Sequence, residues 1–585
     1  MILRGAVVAM IAILALSTSG ARSTAAQRGE DAKFEKLAKD YIEEFLLASP
    51  EAATGLGDHR FDDRLDDYSL AGRDADRARA RKYLDALARI NVNRLSPVNK
   101  VDYRIMRSRL EYNLFSLDTL REYEWNPLTY NVGGSIYALV ARDFAPLPQR
   151  LRSVRSRLQA LPEVVANAKK NLKNPPRVHT ETAIAQNKGN ISLVRDELNT
   201  FIAQAPEMKA ELAPAQATAL VALEDYGKWL ETTLLPRSNS DFRIGDEKFR
   251  RKLGFALESN LTKEQILQRG EADLRSTQDE MYRVAFTNQA KLLDEEIHPA
   301  NPTPAQRKRL IKAVLDRLAE SRPTNDTIVD LAKQTLQTTT DFVRANNLVT
   351  IPDDPVKIIV MPEFDRGVAV AYCNVAGPLE KNGETFYAIS PTPKDWTETR
   401  VNSFFREYNN YMVQDLTIHE AMPGHYLQLA LANRFKAPTQ VRAIFQSGTF
   451  AEGWAVYAEG LMAEKGYGGP EVRMQQLKMR LRMIINAIID QKIHTDGMTE
   501  QAAKDLMMNE GFQEEGEAAG KWRRAQLSST QLSTYYVGAS EVADIRRAYE
   551  AKNGKDKGAG LRRMHDQMLS FGTPAPKYVR ELMGL

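Results

Sequence analysis

The chain has 585 residues, 43% hydrophobic and 27% charged, which is the make-up of a folded globular protein and too long for one simple core. With 80 basic against 76 acidic side chains, the net charge of +4 gives no electrostatic basis for nucleic acid or a membrane surface as the main partner. Cys373 is the single cysteine, which excludes an intramolecular disulfide and a Cys-rich metal cluster.

Residues 1–26 read as a secretory signal. Arg4 supplies the positive start, Ala6 to Leu16 is an unbroken apolar run, and Thr24-Ala25-Ala26 fits a cleavage site before Gln27. The run is short for a membrane span, so an uncleaved anchor is the lesser reading. No cysteine follows the run, which excludes a lipoprotein anchor. A periplasmic or secreted protein is expected, with no membrane anchor after cleavage.

From Asp31 to about Leu235 apolar residues recur at helical spacing, as in Phe34, Leu37, Tyr41, Phe45 and again in Leu151, Val154, Leu158, Leu161. This predicts an N-terminal helical subdomain over 27–235, closed by Leu235-Pro236. The Gly- and Asp-rich stretch from Gly55 to Asp63 interrupts it and reads as a solvated turn, with cation binding as the alternative. A second helical subdomain is predicted over 236–585. Inside it, at about 355–391, Lys357–Met361, Val368–Tyr372 and Thr385–Ile389 are short, β-rich and bounded by Gly and Pro, which predicts a small antiparallel sheet.

The chemistry concentrates in His419-Glu420-Ala421-Met422-Pro423-Gly424-His425. The chain has only seven histidines, so two this close call for a reason. A zinc hydrolase needs two neutral imidazoles on the metal and a carboxylate beside the attacking water. The usual i,i+4 spacing is replaced here by i,i+6, which on a regular helix turns the two rings about 120° apart. Pro423 and Gly424 allow a bulge at Met422–Gly424 that restores a common face. The alternative is a kinked helix with two unrelated histidines.

A second helix offers Glu452 and, seven residues on, Glu459. Gly453 permits another backbone to come close, and Glu459 suits a partner that orients a ligand imidazole. A third helix, roughly Val472 to His494, carries Arg482, Asn486, Asp490 and His494 in a polar line at i+4 steps, either solvated or facing a cleft. Further on, Tyr535-Tyr536-Val537-Gly538 brings phenols that can donate to a developing oxyanion, although adjacent tyrosines also serve as packing.

The strings HEAMPGHYLQ, EGWAVYAE, Asp490–His494 followed by Gly497-Met498-Thr499, and Tyr-x-x-Gly resemble the bacterial "domain of unknown function 885" family of candidate zinc metallopeptidases. The resemblance runs from about Asp31 to the end and is strongest over 410–545. It implies a mostly α, large helical cleft-bearing fold like that of the helical oligopeptidases and carboxypeptidases. It also implies Zn2+ held by His419, His425 and Glu452, with Glu420 as general base. Tyr535, with Tyr536 as the register alternative, and His494 are the candidate oxyanion donors. Asn486 departs from the family pattern, where arginine is expected, which bears on recognition of a substrate terminus.

The reading is a secreted zinc metallopeptidase acting on peptides. Its rivals are a non-catalytic peptide- or metal-binding protein, for which the intact Glu420 has no use, and a zinc hydrolase of a non-peptide amide or ester. No G-x-S-x-G string supports a serine hydrolase. Oligomeric state and the choice between endo- and exo-cleavage are not legible in the sequence.

Overall fold

A computed structural model describes residues 27–293, 301–361, 370–380, 383–394, 396–554 and 559–585. The predicted signal segment, 1–26, lies outside the described residues. The fold is mostly helical, with a single three-stranded sheet among the described residues.

The periodicities seen in the sequence become buried stripes. Leu151, Val154 and Leu158 are fully buried on the helix Leu147–Asn171, as are Phe34 and Tyr41 on the first helix, 27–48. That first helix packs with Leu70–Leu87 and Pro97–Phe115 in a core that also takes in Val441, Ile444, Ala575 and Tyr578. N-terminal helices and late segments of the chain therefore share one apolar interior. Asp102 is the polar centre of that junction. Its carboxylate accepts from Arg442 Nε at 2.6 Å and from Thr439 Oγ1 at 2.6 Å, and both Asp102 and Arg442 are fully buried.

The stretch expected as a solvated turn is instead packed. Asp62 is buried and accepts from Thr54 Oγ1 at 2.6 Å. His59 contacts Asp62 at 2.9 Å and Glu380 at 2.8 Å and stacks on Phe144 at 3.6 Å. Asp62 is thus a partner of a buried group while Asp63 stays exposed, and the segment docks onto the loop that follows the second strand.

The sheet consists of β1 (Val356–Val360), β2 (Ala371–Asn374) and β3 (Thr385–Ile389) in the order β1-β3-β2. It is mixed, which corrects the antiparallel expectation: β2 pairs antiparallel with β3, but β1 runs parallel to it. β2 occupies one side of β3 and β1 the other, in the same direction as β3. The chain between them is long enough for the crossover that parallel pairing needs. Val368 and Ala369 of the predicted second strand lie outside the described residues. β3 is buried along its whole length, as a central strand covered on both faces should be. Tyr387 of β3 bonds Thr417 at 3.1 Å and so ties the sheet to the helix bearing His419.

Candidate metal centre

Six helices build the site: α1 (Lys263–Thr287), α2 (Asn410–Glu420), α3 (His425–Asn433), α4 (Gly448–Glu464), α5 (Gly469–Thr495) and α6 (Glu515–Leu527); a seventh, α7 (Ser533–Asn553), crosses α4. Asn409 caps α2 by accepting from the Tyr411 and Met412 amides.

The histidine motif is a break between two helices rather than a bulge within one. α2 ends at Glu420, Ala421 leaves helical geometry (φ −127°, ψ −78°), and α3 starts at His425. The Met422–Pro423 peptide is cis. Gly424 is pressed against α2: a Cβ there would lie 1.9 Å from the His419 carbonyl oxygen. Trp454 of α4 donates its indole N–H to the Pro423 carbonyl at 2.8 Å, which holds the break against the helix that carries Glu452.

The break brings the two imidazoles together. Their ring centroids are 4.7 Å apart and nearly perpendicular. His419 Nε2 and His425 Nε2 lie 3.5 and 3.3 Å from Glu452 Oε2. One ligand atom from each of His419, His425 and Glu452 fits within 4.8 Å of the other two. Glu452 Oε2 is buried without a hydrogen-bond partner, as is His425 Nδ1. Two imidazoles and a carboxylate with a converging, unfilled acceptor form a donor set that suits zinc with an open fourth position. Burial pushes the Glu452 carboxyl up, but the two imidazoles outweigh it and hold the group well below the usual carboxylate range.

Glu459, one side of α4 further on, is almost fully buried and accepts from His419 Nδ1 at 2.6 Å. That bond leaves Nε2 bare and turned toward Glu452, the usual way a ligand imidazole is oriented. Behind it Asp415, four residues before His419, is buried with both carboxyl oxygens unpartnered. Burial and the Glu459 charge push its carboxyl well up. Asp415 was missed in the sequence, where the spacing from His419 was the available clue.

Glu420 is the last residue of α2 and is buried. Its charge reaches the sheet: after burial, it is the next cause holding the Cys373 thiol of β2 well above its ordinary value. Tyr535 and Tyr536 have different surroundings. Tyr536 is buried and donates to Asp273 of α1 at 2.7 Å. Tyr535 is partly exposed, and its hydroxyl accepts from Arg524 Nη2 at 3.2 Å and from Gln531 Nε2 at 3.3 Å. Burial first and Glu452 second raise its pKa, so the phenol lies within the field of the cluster and stays protonated. Arg524 was not singled out in the sequence; a cation in an otherwise ordinary helix carries no motif.

The polar line on α5 is buried, not solvated. The structure does not bring His494 into the histidine–glutamate group. Its Nε2–H donates to the carbonyls of Ala525 (3.0 Å) and Ser528 (2.9 Å), and its ring stacks on Phe249. Asp490 accepts from the Thr530 and Ser533 amides at 2.9 and 3.0 Å and from Ser533 Oγ at 2.7 Å. The two residues thus hold opposite ends of the 528–532 link between α6 and α7. Asn486 is buried with its Oδ1 unpartnered.

None of the curated proteins compared matches the sequence. Among solved structures, a candidate lipoprotein of unknown function from Shewanella oneidensis aligns over 94% of this chain and 100% of its own, at 33% identity and a TM-score of 0.78. A candidate lipoprotein from Colwellia psychrerythraea aligns over 96% of this chain and 98% of its own, at 16% identity and a TM-score of 0.77, and has the same fold. A Trypanosoma cruzi metallocarboxypeptidase aligns over 96% of each chain at 12% identity, with a TM-score of 0.39 that is too low to bear on fold or chemistry. The family profile of bacterial proteins of unknown function, DUF885, matches residues 50–583, and the chain belongs to that family.

Proposed function

We propose that the protein is an exported zinc-dependent peptidase whose active site is the His419–His425–Glu452 group. The observation that carries this reading is the convergence of three ligand atoms, from two histidines and one glutamate, with a fourth residue, the buried acid Glu420, next to the ligand His419 in the chain. Zinc held there supplies a Lewis acid for the scissile carbonyl and lowers the pKa of water.

The chain's own residues do the rest. Glu459 fixes the His419 ring so that its Nε2 faces the metal position. Glu420 takes the proton of the attacking water and returns it to the leaving amine. The Tyr535 hydroxyl, kept protonated, donates to the carbonyl oxygen as charge builds there. His494 is a positioning residue in this reading: with Asp490 it fixes the link that leads into α7, whose first turn carries Tyr535. β2 is an edge strand among the described residues and packs on α2, so an extended peptide can pair along it.

Export is supported by the leader-like residues 1–26 and by the description of two structural relatives as candidate lipoproteins. No helix among the described residues is long and apolar enough to cross a membrane.

The test is metal analysis of the purified protein, followed by digestion of a peptide library read by mass spectrometry, with Glu420→Gln as the control. Zinc near one per chain and cleavage lost in the control are expected. A zinc-loaded wild type that cleaves no peptide overturns the reading.

A further inference from the structure

Where α5 meets α6, near the metal group, the fold gathers a cluster of buried and partly buried cations. Lys478, Arg482 and Lys521 have side chains only 6, 6 and 10% exposed. Arg524 is partly buried on the same face of α6 as Glu517 and Lys521, while Ala518, Trp522 and Ala525 turn into the core. Two carboxylates pair with the first three of these cations. Glu407 takes Lys478 at 2.8 Å, Arg482 and the Glu514 amide. Glu517 accepts from the Tyr408 hydroxyl at 3.1 Å and lies 3.8 Å from Arg482 and 3.6 Å from Lys521.

Lys521 is the one left short of counter-charge, whereas Arg524 is held charged by Tyr535, Glu452 and Glu517 despite its burial. Lys521 has that one distant ion pair and no hydrogen bond among the described residues. Arg524 uses only Nη2, on Gln531 and Tyr535. Its Nε and Nη1 have no hydrogen-bond partner among the described residues, and the residue is only partly buried. A cation as nearly buried as Lys521 without a full counter-charge is unfavourable. Burial, together with Arg524 and Arg482, pushes the Lys521 ammonium down to about 8 against the pull of Glu517.

Position says which charge belongs there. Arg524 bonds Tyr535, and Tyr535 stands within the field of the ligand Glu452. Lys521 lies one turn earlier on α6. From these contacts we propose that Lys521 and Arg524 form a subsite for a substrate carboxylate held about one residue from the scissile bond. The preferred substrates are then peptides that present a free C-terminal carboxylate, or an acidic side chain, just beyond the bond cleaved. This inference rests on the peptidase reading above.

Four peptides test it on the zinc-loaded full-length protein. One pair is identical except for a C-terminal acid or amide. The other pair is amidated and differs by Glu or Gln after the scissile bond. A preference for the carboxylate member of roughly tenfold or more in kcat/KM is expected in one pair, and which pair shows it identifies the source. Lys521→Met and Arg524→Gln should each shrink that preference toward one, mainly through KM. Zinc content and thermal midpoint verify that the variants fold. Should Arg524→Gln fail to fold, Lys521→Met decides alone. No preference in either pair, or a preference undiminished in the folded variants, overturns the subsite. If none of the four is cleaved although zinc is bound, the peptidase reading falls. The subsite is then judged by fluorescence anisotropy of the labelled acid and amide peptides: acid-selective binding weakened in Lys521→Met sustains it, and equal binding refutes it.

Discussion

Gly453 and Gly538 meet backbone to backbone where α4 crosses α7. A Cβ on Gly453 would lie 2.4 Å from the Gly538 carbonyl carbon, and one on Gly538 would lie 2.0 Å from the Thr449 carbonyl oxygen. Glu452 immediately precedes the first glycine, and Tyr535 sits one turn before the second. The missing side chains are what allow the ligand carboxylate and the phenol to share one site. Gly538→Ala should therefore cost about 1–3 kcal/mol of stability as the helices are forced apart. Activity in the surviving folded fraction should fall further than zinc content. An unchanged melting temperature with full activity would show that the crossing is not tight.

Metal retention separates ligands from their supports. His419→Ala should abolish stoichiometric zinc, whereas Glu459→Ala should weaken zinc by about 10–100-fold and leave it measurable by competition with a chelator. Equal zinc in His419→Ala and wild type would remove the site.

Glu420→Gln should keep the metal and lose about 10²–10⁴ in kcat, because an amide cannot take the water's proton. Isothermal titration with zinc and single-turnover kinetics on the same preparation check the two halves of that statement. Near-normal turnover would take Glu420 out of the mechanism.

Tyr535→Phe removes one hydroxyl and leaves the ring. Loss of the donor should lower kcat by about 10²–10³ with little change in KM. Tyr536→Phe should instead leave kcat intact and reduce stability by about 1–3 kcal/mol, since Asp273 loses its partner. The opposite pattern would exchange the two assignments.

Much of this was legible beforehand because the relevant patterns are local. Helical stripes, the His–Glu–Pro–Gly–His string and Glu452 all lie within single elements or a few turns. Contacts between distant segments were not legible. His494 looked like a donor because its spacing from Asp490 was visible, but its actual partners are carbonyls 31 and 34 residues away. The two tyrosines could not be told apart until Asp273, 263 residues earlier, claimed one of them. The sheet was misjudged for the same reason, because β1 pairs with β3 and not with the adjacent β2, and no single segment records that pairing.

Acid sensitivity follows from two histidines outside the metal group. His179 and His565 are buried, and burial pushes each down to about 4. For His565 the neutral form is specified: Nδ1–H donates to the Leu348 carbonyl at 2.7 Å, and Nε2 accepts from the Tyr457 hydroxyl at 2.8 Å. Between pH 4 and 6.5 the unfolded chain binds more protons than the folded one. The stability these histidines contribute is thus complete above pH 6.5 and is lost as the pH falls toward 4, by about 1.4 kcal/mol per unit of pKa separation for each. Melting temperature against pH should show that slope, and His565→Gln should flatten it. A slope unaltered in the variant would assign the acid transition to other groups.

The Asp102–Arg442 pair has a consequence for how the chain reaches its native state. Asp102 waits for partners 337 and 340 residues downstream, so the core around the first helices cannot be completed locally. Contacts of such sequence separation slow folding, because the loop between them must close before they are gained. Until they form, the N-terminal helices carry an unmatched carboxylate in an apolar setting, at a cost of several kcal/mol. An isolated fragment ending before Thr439 should be readily degraded, and during refolding these helices should gain protease resistance only when the segment around Arg442 does. The N-terminal half and the metal-site half of the chain are then obliged to mature together.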